Sequence, residues 1–121
     1  MIQPVIHGNV VEGKKRGKQL GFPTANFPLT QHVADGIYVS QTTIDNNQYN
    51  SVTFIGVAET FGETKRNVET YILDFDETMY GKEIWVTLLK KIRENQKFSS
   101  QEALVAQIQE DVAAARAFFE T

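Results

Sequence analysis

The chain has 121 residues, 41% of them hydrophobic and 22% charged, with a net charge of -3. That length closes one core and leaves no room for two, and nothing in the charge suggests a basic nucleic-acid footprint or a patch for anionic membranes. The absence of cysteine excludes disulfide staples, thiolate catalysis and cysteine-ligated zinc. The first ten residues, MIQPVIHGNV, carry no basic region followed by an apolar run, and no stretch has the roughly 18 apolar residues a membrane helix needs. A soluble, cytoplasmic protein is the expectation.

In chain order, β-branched and aromatic residues recur in short runs bounded by Gly, Asn, Asp or Pro. The first predicted strand covers 5–11. The segment 13–28 holds three of the eight glycines, two of the three prolines and four Lys or Arg, so a long loop is expected there. Strands follow at 36–44 and 48–55, joined by a hairpin turn at Asp45, Asn46 and Asn47, because Asn tolerates positive φ at little cost. Further strands are predicted at 67–75 and 83–92. Trp85 lies in a run whose two faces are both partly apolar, and it is assigned to the core. From Ser99 onward the period changes. Leu104, Ile108, Val112, Ala115 and Phe119 recur every three to four residues, and Ser99-x-x-Glu102 fits a capping box, so 99–119 is one amphipathic helix. Phe118 and Phe119 are expected to anchor it. Strands followed by one helix predict an all-β antiparallel barrel with the helix on its outside or across one end.

Three features bear on chemistry. Gly8 to Lys15 fits a Walker phosphate loop up to its last position, where Lys15 stands in place of Ser or Thr. Val10 and Val11 suit a strand and no helix pattern follows, so this match is rejected. In the next stretch Gly13, Gly17 and Gly21 free the backbone while Lys14, Lys15, Arg16 and Lys18 add positive charge, a composition suited to phosphate or to a solvated basic loop. Thr24 and Asn26, two apart after Pro23, project to one side if the chain is extended. A hydroxyl and an amide oxygen so placed suit magnesium, or else satisfy backbone groups in a turn. His7 and His32 are too few and too far apart in sequence for a metal site. Asp74, Asp76 and Glu77 are taken as a solvated strand end.

The run Gly13-x-x-Arg16-Gly17-Lys18-x-Leu20-Gly21-Phe22-Pro23-Thr24-Ala25-Asn26 resembles the signature of riboflavin kinases. The resemblance continues through Gly36-Ile37-Tyr38, Ile55-Gly56, Val68-Glu69-Thr70, Tyr80-Gly81, Arg93 with Lys97-Phe98, and Asp111 in the helix. It implies a six-stranded antiparallel Greek-key barrel with a C-terminal helix, one domain over 1–121, the barrel about 1–98. It implies transfer of the ATP γ-phosphate to the ribityl 5′-hydroxyl of riboflavin, giving FMN and ADP. By the same resemblance Gly13, Arg16, Gly17, Lys18, Gly21, Pro23 and Thr24 hold the ATP phosphates, Thr24 and Asn26 bind Mg2+, and Glu69 is the catalytic base. Arg93, Lys97 and Phe98 border the flavin. The implied partners are riboflavin, FMN, ATP and ADP, with no nucleic acid, no membrane and a monomeric state.

Three positions depart from the family pattern. Phe54 stands where a small or amide residue is usual, Glu59 where proline is usual, and Asn95 where glutamate is typical. They motivate an alternative, a non-catalytic or weakened flavin or nucleotide sensor on the same barrel. An oligonucleotide-binding barrel is a third class, which the net charge of -3 argues against.

Overall fold

The β-branched and aromatic runs do form strands, and their alternation decides which side chains go inside. The computed structural model describes residues 3–11, 24–57, 65–75, 77 and 79–120. They form β1 (Val5–Asn9), β2 (Thr24–Pro28), β3 (Gly36–Ile44), β4 (Asn47–Gly56), β5 (Asn67–Ile72), β6 (Glu83–Arg93) and a single helix, α1 (Gln101–Glu120). All pairings are antiparallel in the order β1-β6-β3-β4-β5-β2. The strands β6-β3-β4-β5 follow the Greek-key order, in which the fourth strand returns beside the first. Two residues past the end of β1, Val11 bridges to the edge strand β2, its N–H donating to Asn26 O at 2.8 Å. The result is a nearly closed six-stranded barrel.

Two register shifts between β3 and β6, at Ile37/Tyr38 and at Val39/Ser40, bend the sheet toward closure. The hairpin between β3 and β4 turns on Asp45 and Asn46, both at positive φ, 51° and 67°. This is the turn expected from the Asn-rich sequence.

Inside the barrel, all six strands contribute to one apolar cluster, from Ile6 and Phe27 to Ile55, Val68, Ile84 and Leu88. Among these lies a buried chain of hydroxyls crossing three strands. Ser40 meets Ser51 and Thr53 at 2.7 Å each, Thr42 meets Ser51 at 2.8 Å, and Thr53 meets Thr70 at 3.1 Å. The three inner hydroxyls, Ser51, Ser40 and Thr53, each both donate and accept, and Thr42 and Thr70 end the chain. Gly8 is required by close approach, because a Cβ there would lie 2.5 Å from Cδ2 of the fully buried Phe27.

The outer face of the sheet carries a second cluster. Ile37, Val39 and Val52 are covered by Ala115, Val112 and Phe119 of α1, with Phe54 and Tyr71 packed at its border. The Ser100 Oγ caps the helix by accepting Ala103 N–H at 3.1 Å, and Arg116 binds the Asp74 carboxylate with two contacts of 3.1 Å. That hydrogen-bonded guanidinium holds the Asp74 carboxyl below its ordinary range.

Four expectations change. Residues 24–28, read as loop, form strand β2, which tolerates Pro28 because it is an edge strand. The helix cap is Ser100, one residue later than Ser99. Trp85 is 43% exposed, because Ile84, Val86 and Leu88 take the inward positions of β6. The strand predicted over 67–75 ends at Ile72, where Leu73 and Asp74 turn away, Asp74 at a φ of 57°.

Candidate active site

The period of two along β2 and β5 puts Ala25, Phe27, Val68, Thr70 and Ile72 inside the barrel. It therefore turns Thr24, Asn26, Asn67, Glu69 and Tyr71 outward. Register then brings them together. Asn26 lies directly opposite Glu69, and Thr24 opposite Tyr71. On the other side of β5, Glu69 faces Phe54, which faces Ile37, which faces Arg93. Asn26, Glu69, Phe54, Ile37 and Arg93 thus form one row across five strands, roughly 19 Å long at about 4.8 Å per strand.

At one end of the row the Asn26 amide is held in place. Its Oδ1 accepts from Asn67 Nδ2 at 3.2 Å, and its main-chain oxygen takes the Val11 N–H. Thr24, Asn26 and Glu69 are each half-buried and present oxygen atoms on one face, a hard donor set. Among the described residues no three His, Cys, Asp or Glu side chains come together. A divalent cation here would take its remaining ligands from a substrate or from water.

At the other end, Arg93 is committed. Its Nε donates to Asp111 Oδ1 at 2.8 Å and its Nη2 to Asp111 Oδ2 at 2.7 Å, a bidentate pair. Gln107 Nε2 adds a third bond to Asp111 at 3.1 Å, and Arg93 Nη1 donates to Glu94 O at 3.1 Å. The guanidinium also lies 5.9 Å from the centre of the Phe98 ring. Arg93 therefore ties the end of β6 to α1 and to Phe98, while Lys97 is exposed. Beside it, Asn95 Nδ2 donates to Ile55 O at 3.0 Å, a bond that a glutamate carboxylate has no proton to make. Asn95 sits over Gly56, where an added Cβ would lie 2.1 Å from its Nδ2.

Beside Glu69, two residues further along β5 and opposite Thr24, stands Tyr71, which the sequence did not single out. Its phenol is hydrogen-bonded to Glu69. Burial pushes the phenol well above its ordinary pKa, and the Glu69 charge, the Glu69 hydrogen bond and Asp111 push the same way, with Arg93 opposing. Its signal in the sequence is the spacing of two from Glu69 on one strand.

The structure thus brings Thr24, Asn26 and Glu69 together and sets Arg93, with Phe98 beside it, at the far end of the same row. Gly13, Arg16, Gly17, Lys18, Gly21, Pro23 and Glu59 lie outside the described residues. A separate surface cleft of about 520 Å³, lined by Thr43, Asp45, Asn46, Lys82, Glu83 and Trp85, lies at the far end of β6. Trp85 is eight residues from Arg93, roughly 25 Å along the strand, so the cleft is remote from the row.

Comparison with known proteins bears on the family and the fold. The family model described as riboflavin kinase (flavokinase) matches residues 2–119. The RNA-binding riboflavin kinase of Bacillus subtilis is 37% identical over 96% of this chain and 51% of its own length. The bifunctional riboflavin kinase/FMN adenylyltransferase of Escherichia coli is 38% identical over 94% of this chain and 37% of its own. The chain therefore spans about half the length, or less, of these curated relatives. Among solved structures, riboflavin kinase from Trypanosoma brucei superposes with a TM-score of 0.65 at 28% identity, covering 99% of this chain and 82% of that one. A Streptococcus pneumoniae structure described as a macrolide-efflux protein reaches a TM-score of 0.83 at 35% identity, covering 94% of this chain and 38% of that one. With the family model spanning both ends of the row and the barrel between them, the chain belongs to the riboflavin kinase family.

Proposed function

We propose that the chain phosphorylates riboflavin, transferring the γ-phosphate of ATP to the ribityl 5′-hydroxyl and releasing FMN and ADP. The observation that carries this reading is the register that sets Asn26 opposite Glu69 with Thr24 on the same face. A primary alcohol is a weak nucleophile, so a carboxylate within reach of it is the group the reaction most needs. Glu69 accepts the hydroxyl proton as the new O–P bond forms, and the γ-phosphorus to oxygen bond breaks to leave ADP.

Thr24 and Asn26 would hold Mg2+ together with the nucleotide, their neutral oxygens fitting a cation whose other ligands are phosphate and water. When bound, the ion neutralises charge on the phosphates. Asn67, through its bond to Asn26 Oδ1, keeps that amide oxygen facing the site. Gly13, Arg16, Gly17, Lys18, Gly21 and Pro23 are assigned to the ATP phosphates on the resemblance. The flavin lies toward Arg93, Lys97 and Phe98, where Arg93 acts by holding Phe98 and the middle of α1. The finer reading is of one kinase unit over 1–121, cytoplasmic and monomeric, acting on small molecules without nucleic acid or membrane.

Incubation with riboflavin and MgATP, followed by chromatography, should yield FMN. No FMN at high enzyme concentration, with an active riboflavin kinase in the same buffer, would sink the proposal. The Glu69→Gln variant should lose at least about a hundredfold in rate while still quenching riboflavin fluorescence. A second reading is favoured by Phe54, whose position opposite Glu69 sets a ring where the family has a small or amide side chain. It is a flavin sensor that binds without turnover, and quenching with no FMN would select it.

A further inference from the structure

We infer that Tyr71 is a positioning residue for Glu69, holding the catalytic carboxylate toward the substrate hydroxyl through its phenolic O–H. The inference rests on Glu69 being the base. Three observations carry it. First, Glu69 and Tyr71 stand two apart on β5 and project from the same face, and the phenol is hydrogen-bonded to Glu69. Second, the cross-strand neighbour of Glu69 on β4 is Phe54, which has no hydrogen-bonding group, so β4 offers no polar side chain directly opposite Glu69. The orienting bond comes from along the strand instead.

Third, the phenol is itself fixed. Tyr71 faces Thr24 on one side and Val52 on the other, and its ring packs on the outer cluster beneath α1. A donor locked by packing holds its acceptor with little conformational freedom, which is what a base needs before its substrate arrives.

The test is a double-mutant cycle read in a single turnover, with Tyr71→Phe, Glu69→Gln and both together in the full chain. Phenylalanine keeps the ring and its packing and removes only the hydroxyl. The rate of FMN formation in Tyr71→Phe should fall about tenfold, the effect of one lost hydrogen bond to a charged group. Riboflavin and MgATP dissociation constants should stay within about twofold. In the Glu69→Gln background the same change should cost less than about twofold, because the group that Tyr71 positions is gone. A wild-type rate in Tyr71→Phe overturns the inference. So does a rate loss of equal size in both backgrounds, or one accompanied by weakened riboflavin binding, which is the signature of packing. A wild-type rate in Glu69→Gln would instead remove Glu69 from the mechanism, and this inference with it.

Discussion

The Arg93–Asp111 pair ties the end of β6 to α1, and Asp111→Asn is the perturbation that isolates it. The Asp111 side chain is 6% exposed and accepts from Arg93 Nε and Nη2 and from Gln107. Asparagine has nearly the same shape, so packing is retained, but its neutral amide can replace only part of the bidentate contact. Breaking a fully buried pair costs about 3–5 kcal/mol, and the 20% exposure of the Arg93 side chain lets water recover part of that, leaving about 2–3 kcal/mol. For a domain of 121 residues this corresponds to a fall in Tm of about 10 °C. Thermal melts by circular dichroism read it directly. On the flavin placement proposed above, the riboflavin KM should rise as well, because the pair holds Phe98 and the middle of α1. Replacing both partners with apolar residues, Arg93→Met with Asp111→Leu, should be less destabilising than removing either charge alone. A drop in Tm below about 2 °C for Asp111→Asn would refute the reasoning, since the pair would then contribute no more than a surface contact.

Two further predictions concern the barrel. Gly56→Ala should destabilise by about 2 kcal/mol or more, because the backbone there sits at a φ of 149° and the new Cβ would displace Asn95 from Ile55 O. Denaturant titration checks it, and an unchanged midpoint would contradict it. The Tyr38 phenol donates to Ala34 O at 2.7 Å, and burial raises its pKa above that of a free tyrosine. The stability this contributes is complete below the unfolded value, about pH 10, and is lost as pH rises through the folded value. Tyr38→Phe should therefore flatten the fall in Tm above about pH 10, and parallel curves for the two proteins would exclude it.

The sheet was legible where residues alternate without interruption. In β3, β4 and β6 the β-branched and aromatic runs, with an Asn-rich turn between the first two, point to strands whose ends shift by no more than a residue. It was not legible in β2, whose five residues end in proline and follow a glycine-rich basic run. Their strand character comes from pairing with β5 and from burying Phe27, neither of which is a local property. Trp85 was misassigned for a related reason. Both faces of its run are apolar, and only barrel closure decided that Ile84, Val86 and Leu88 go inside.

The candidate site divides the same way. The motif from Gly13 to Asn26, the spacing of Thr24 and Asn26, and the presence of Glu69 are properties of the chain, set by residue type and a period of two. What only the folded barrel decided is that residues 26 and 69 face each other, that Phe54 flanks the carboxylate, and that Tyr71 binds it. Register is set by which faces of distant strands must be buried, and a slip of one residue would turn Glu69 into the core. No stretch of sequence encodes that alone. It follows from closing six strands around one apolar interior and laying one helix across the outside.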